Sequence, residues 1–184
     1  MNRIKLPTPD QTPVASLPLL DAVKKQLGVV PNLMKLLGNS PAALEGYLSL
    51  NGALSKGGLD AKTRERIALA IAEINGCNYC LSAHSYLGKN VAKLDDAEIL
   101  ANRSGNSSDP KAAAAIRFGV RVAQERGHIN DADLNAVQAA GYTQAEIVEI
   151  VMHVALNTLT NYVNVVAQTE IDFPLVSPLS RAAA

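Results

Sequence analysis

The chain has 184 residues, 17 lysines and arginines against 17 aspartates and glutamates, and no basic block of five or more residues, which gives nucleic acid or another polyanion little to bind. The longest uninterrupted apolar run, Ile67 to Ala72, falls far short of the ~20 residues of a membrane span, so no membrane association is expected. Tryptophan is absent, phenylalanine occurs twice, and alanine, leucine and valine carry the hydrophobicity, a composition that favours helices over alternating strands.

In chain order, the proline-punctuated start reads as an extended arm over residues 1–17 and not as a signal peptide, so a cytoplasmic protein is expected. A helical domain is expected over 18–172 and a proline-broken tail over 173–184. A short helix runs from Pro18 to Leu27, where Gly28 ends it, and Pro31 to Leu37 fits a second. Ser40 and Pro41 form an N-cap and first-turn pair opening a helix toward Gly57 and Gly58. Asp60 caps the next, which reaches about Ile74 before Asn75 and Gly76 bend the chain. A further helix is expected to carry Cys77 through Leu87 and to stop at Gly88. Asp95 and Glu98 have capping-box spacing, and 102–109 is the most polar stretch and the best candidate hinge. Asp109 with Pro110 opens a helix ending at Gly127. Asn130 caps a short one, and Thr143 with Glu146 makes a capping box ahead of a long helix to about Gln168. The expectation is an all-α single domain with two helical halves.

The two cysteines stand three apart, a spacing that random placement gives about once in a hundred cases. At i and i+3 they share a helix face, within the ~4.4–6.8 Å Cα window of a disulfide, and His84, four residues beyond Cys80, lies above them. A position in the first helical turn favours a thiolate, and a histidine can take up the thiol proton near neutral pH. Such a pair suits peroxide reduction or disulfide exchange, one sulfur attacking and the other resolving the sulfenic acid or mixed disulfide. By position alone Cys77, nearest the helix start, is the more acidic thiol. Glu65 sits among small and apolar neighbours of the preceding helix, where it serves either as a base orienting His84 or as a surface ion pair with Lys62 or Arg66.

Glu65, eleven intervening residues, and then Cys77-Asn-Tyr-Cys80-Leu-Ser-Ala-His84 resembles the hallmark of the AhpD-like alkylhydroperoxidases of the carboxymuconolactone decarboxylase family. The longer N-terminal segment looks most like the peroxidase-related subgroup. The resemblance implies an all-α fold, an alkylhydroperoxidase-like peroxidase, and a homo-oligomer, trimeric or hexameric. It implies Cys80 as peroxidatic thiol, Cys77 as resolving thiol, and Glu65 with His84 as a proton relay. The partners would be a small hydroperoxide and a dithiol reductant such as a lipoyl-bearing or thioredoxin-like protein. No cofactor and no metal is expected. The best-known members carry a histidine just before the second cysteine; Tyr79 in that place puts the reductant contact in question.

Two alternatives stand beside this reading. The decarboxylase branch of the family acts on lactones, but its members lack the cysteine pair. The other is a non-enzymatic redox-responsive or zinc-holding module; for the latter, structural zinc needs four ligands, and the sequence offers no second cysteine pair. The polar row His153, Asn157, Asn161, Asn164 and Gln168 on the last helix is expected to satisfy itself at a helix or subunit contact, more than to line a pocket.

Overall fold

A computed structural model describes residues 2–179. Among these residues there are only helices: a 3₁₀ turn at Val14–Ser16, then α1 (Leu17–Leu27), α2 (Asn32–Leu37), α3 (Pro41–Leu54), α4 (Ala61–Ile74), α5 (Asn78–Asn90), α6 (Asp96–Arg103), α7 (Pro110–Gln124), α8 (Asp131–Ala139) and α9 (Gln144–Ala167). The all-α expectation is met. The last five residues of the expected tail, 180–184, lie outside the described residues.

Side chains that satisfy the first free amides mark most of the helix starts. Ser40, Asp60, Asp95, Asp109, Asn130 and Thr143 each accept from a backbone N–H of the first turn, an interaction worth about 1 kcal/mol per cap. Thr143 and Glu146 form the reciprocal box expected of them. Asp95 and Glu98 do not: Asp95 accepts from the Glu98 amide, but the Glu98 carboxylate is directed inward, to Arg66, Asn102, Ser107 and Ser108. Ser107 and Ser108 thereby pin the loop after α6, so the expected hinge is a fastened segment.

α4 is the central helix, packed against α5, α6, α7 and α9. Ile67, Leu69 and Ile71 are fully buried on it, on more than one face, as required of a helix surrounded by others. Truncating any of them to alanine costs about 2–5 kcal/mol. Gly119 lets α7 approach α9, where a Cβ would meet Val154 at 3.3 Å. α9 is long and apolar enough to cross a membrane by length and composition alone, yet half of that stretch is buried inside the fold. Its buried face carries His153, Asn157, Asn161 and Asn164.

Candidate active site

The site is built where α4 hands over to α5. Asn75 caps the end of α4, Gly76 turns the chain at φ +62°, and the Cys77 amide bonds back to the Ala72 carbonyl. Cys77 is the N-cap of α5 and not its first residue, and the helix runs through Gly88 to Asn90. In the place of the usual cap oxygen, the Cys77 Sγ accepts from the Cys80 amide at 3.2 Å.

Both thiols are free and buried, with Sγ atoms 2.6 Å apart and the Cys77 S–H directed at the Cys80 sulfur. Asn164 of α9 donates from Nδ2 to the Cys80 Sγ at 3.3 Å. The hydrogen bond from Cys77, set against burial and reinforced by the His84 charge and by Asn164 and Asn161, brings the Cys80 pKa down to about 7. The same hydrogen bond, with burial and the charge of Cys80, pushes Cys77 up. The helix-start argument pointed to Cys77 as the more acidic thiol; the donors converge instead on Cys80. As the cap, Cys77 shares its sulfur with one amide and holds its proton toward its neighbour.

Glu65 and His84 face each other across α4 and α5, Oε2 to Nδ1 at 2.9 Å and both partly buried. Burial opposes a charged imidazole, but the Glu65 charge and hydrogen bond, together with Cys80, outweigh it and raise the His84 pKa. Neither Lys62 nor Arg66 takes Glu65; Arg66 turns away to Glu98 at 2.8 Å.

A pocket of about 100 Å³ opens over this group, lined by Glu65, Cys80 and His84 together with Tyr47, Arg64 and His153. Burial first, then the charges of Cys80 and Glu65, push the Tyr47 hydroxyl up to about 12, so it stays a hydrogen-bond donor. His153 and Asn157 line the pocket, against the expectation that their row satisfies itself. Asn157 bonds the His153 carbonyl at 2.8 Å, and Asn161 accepts from Asn75 at 2.9 Å. Among the described residues His153 Nε2 and Asn164 Oδ1 have no hydrogen-bond partner. The helical spacing of that row was visible in the sequence. Its orientation was not, because the groups it faces lie some 70–90 positions away in the chain. Among the described residues no group of three or more metal-ligating side chains is assembled.

Residues 41–125, which contain Glu65, both cysteines and His84, match the Carboxymuconolactone decarboxylase family. The family read from the motif is the family matched. Over 46 residues the chain is 50% identical to an uncharacterized protein of Haemophilus influenzae, a match covering 24% of this chain and only 41% of that protein. The fold is shared with an alkylhydroperoxidase AhpD core, an uncharacterized peroxidase-related protein of Ralstonia eutropha JMP134, at TM-score 0.83, 24% identity and coverage of 93% and 92%. A peroxidase-related protein of Silicibacter sp. TM1040 superposes at TM-score 0.79 with 20% identity, covering 91% and 89%. The debrominase Bmp8, in a cysteine-to-alanine variant holding 2,3,4-tribromopyrrole, superposes at 0.75 with 18% identity, covering 92% and 91%. At these identities the likeness is one of fold.

Proposed function

We propose that the protein is a thiol peroxidase that reduces a compact hydroperoxide through Cys80 and Cys77. The observation that carries the reading is the convergence of the Cys77 thiol, Asn164 and His84 on one sulfur at the floor of a pocket. A thiolate near neutral pH is the nucleophile such chemistry needs. The Cys80 thiolate attacks one peroxide oxygen, the O–O bond breaks, and the alkoxide leaves with a proton relayed by His84, whose Nδ1 is held by Glu65. Cys77 then attacks the sulfenic sulfur and water departs, leaving a Cys77–Cys80 disulfide. A dithiol donor returns both thiols, and neither step calls for a metal or cofactor.

The test is to treat reduced protein with substoichiometric tert-butyl hydroperoxide and map thiols by mass spectrometry. A Cys77–Cys80 disulfide is expected in the wild type, and a sulfenic acid trapped on Cys80 in Cys77→Ser. Undiminished hydroperoxide turnover by Cys80→Ser with every dithiol tried would end the proposal.

A further inference from the structure

The two sulfurs do not share one opening. The pocket described above is lined by Cys80 and not by Cys77, whereas a second cavity of about 270 Å³ is lined by Cys77 and not by Cys80. The second lies between the start of α5 and the end of α9, and its lining includes Gly76, Asn78, Val165, Gln168 and Thr169. Tyr79 is the residue common to the two. Its hydroxyl accepts from the Leu33 amide at 3.1 Å, and its ring stands edge-on to Phe173 at 5.8 Å, so the wall between the openings is held at both ends.

Resting on the peroxidase reading, we propose that the cavity beside Cys77 is the entry for the reductant, an uncharged dithiol, with Tyr79 separating it from the hydroperoxide pocket at Cys80. Thiol–disulfide exchange runs in line: the incoming thiolate approaches the attacked sulfur from the side opposite the leaving sulfur. A donor in the second cavity therefore meets Cys77 and expels Cys80. The donor thiolate forms a bond to the Cys77 sulfur, the Cys77–Cys80 bond breaks, and Cys80 leaves as thiolate. The second donor thiol then attacks the donor sulfur and releases Cys77, which takes a proton, while the donor ends as a disulfide. Cys80 is the better leaving group, because it is the thiol held at the lower pKa.

Two further features suit a neutral polar ligand. Among the described residues the lining carries no charged side chain. Asn164 and Thr169 of that lining, 2% and 6% exposed, keep Oδ1 and Oγ1 buried with no partner among the described residues. Tyr79 thus stands as a partition between the two openings.

The experiment separates the two half-reactions. Val165 is half-exposed and lines the second cavity; Asn51 is exposed and lines the first. Protein oxidised with diamide is reduced with dithiothreitol, and reduced protein is separately oxidised with tert-butyl hydroperoxide. Val165→Trp is expected to slow reduction by at least about tenfold while oxidation stays within about twofold, and Asn51→Trp to do the reverse. Quenching during reduction of the wild type is expected to trap the donor on Cys77. Equal slowing of both half-reactions by either variant, unchanged reduction in Val165→Trp, or a donor adduct on Cys80 would overturn the proposal. Because diamide makes the disulfide without a peroxide, a failure of the peroxidase reading shows separately, as no oxidation of the wild type by hydroperoxide.

Discussion

Glu65 and Arg66 are neighbours on α4, yet they enter two buried polar clusters finished in opposite ways. Arg66 meets Glu98, whose two oxygens also accept from Asn102 Nδ2, Ser107 Oγ, and the amide and hydroxyl of Ser108. One atom there, Asn102 Oδ1, is left over. Among the described residues Glu65 bonds His84, and around that pair and the Cys80 sulfur His153 and Asn164 keep atoms without a partner. A saturated cluster has nothing left to offer a ligand and serves to tie α4, α6 and the following loop together. An unsaturated one keeps a desolvation cost of about 1–3 kcal/mol per orphan atom, which folding alone gives no reason to retain.

The comparison breaks most readily at Glu98. Glu98→Ala leaves the Arg66 guanidinium buried without its partner, and a loss of about 3–5 kcal/mol is expected in denaturant unfolding, with hydroperoxide turnover per folded molecule unchanged. Burial opposes the Glu98 charge, but the serine and asparagine donors more than offset it and hold the carboxyl well below its usual range. Its contribution is therefore fully present above the unfolded value of about 4.3 and fades as pH falls below it. The variant should lack that acid-side decline. If instead it keeps its stability and loses its chemistry, the division between the clusters is wrong.

The mirror experiment is His84→Gln, expected to lower the hydroperoxide reaction at neutral pH by about 10²–10⁴-fold while stability changes by less than about 1 kcal/mol. The alkylation midpoint of Cys80, expected at about 7 in the wild type, should rise once the imidazolium is gone. A midpoint that does not move would show that the Cys77 and asparagine hydrogen bonds alone set the thiol. Glu65→Gln should act more mildly, slowing turnover by about tenfold through the orientation and charge of His84. The raised His84 pKa gives the pair a stabilising contribution present below the unfolded histidine value of about 6.5 and lost as pH rises through the folded one. The stability gap between wild type and Glu65→Gln should accordingly close in alkaline buffer.

The helices were legible because their starts are written locally. Asp60 or Thr143 satisfies an amide three residues away, so a short window of sequence contains both partners. The pair Cys77 and Cys80 with His84 was legible for the same reason, through the helical repeat. The closing contacts were not. Arg66 reads as a solvated charge until α6 delivers Glu98 from 32 positions away, and nothing near Asn164 indicates that its amide will reach a sulfur 84 positions earlier. The relative acidity of the thiols failed on a subtler point: a one-residue shift made Cys77 the cap, and the hydrogen bond it gives to the Cys80 sulfur, with burial, outweighed the cap amide that favours its thiolate.

The smallest expected effect is also the sharpest discriminator, since it predicts stability and activity moving in opposite directions. His153 is 4% exposed, lines the Cys80 pocket, and has no partner for Nε2 among the described residues. Burial, with the Arg64 charge adding to it, pushes its pKa down to about 4, so the folded protein holds it neutral while the unfolded chain takes up a proton near pH 6.5. Below that value the unfolded state binds more protons, and stability falls as pH drops from about 6.5 toward 4. His153→Leu removes both the orphan nitrogen and the titration. It should gain about 1 kcal/mol at neutral pH, flatten the stability profile across that acidic window, and slow the hydroperoxide step several-fold. A variant that loses stability would place His153 with Arg66 and Glu98, as part of the scaffold. One that gains stability and keeps full activity would leave its unpaired nitrogen without a part in the pocket's chemistry.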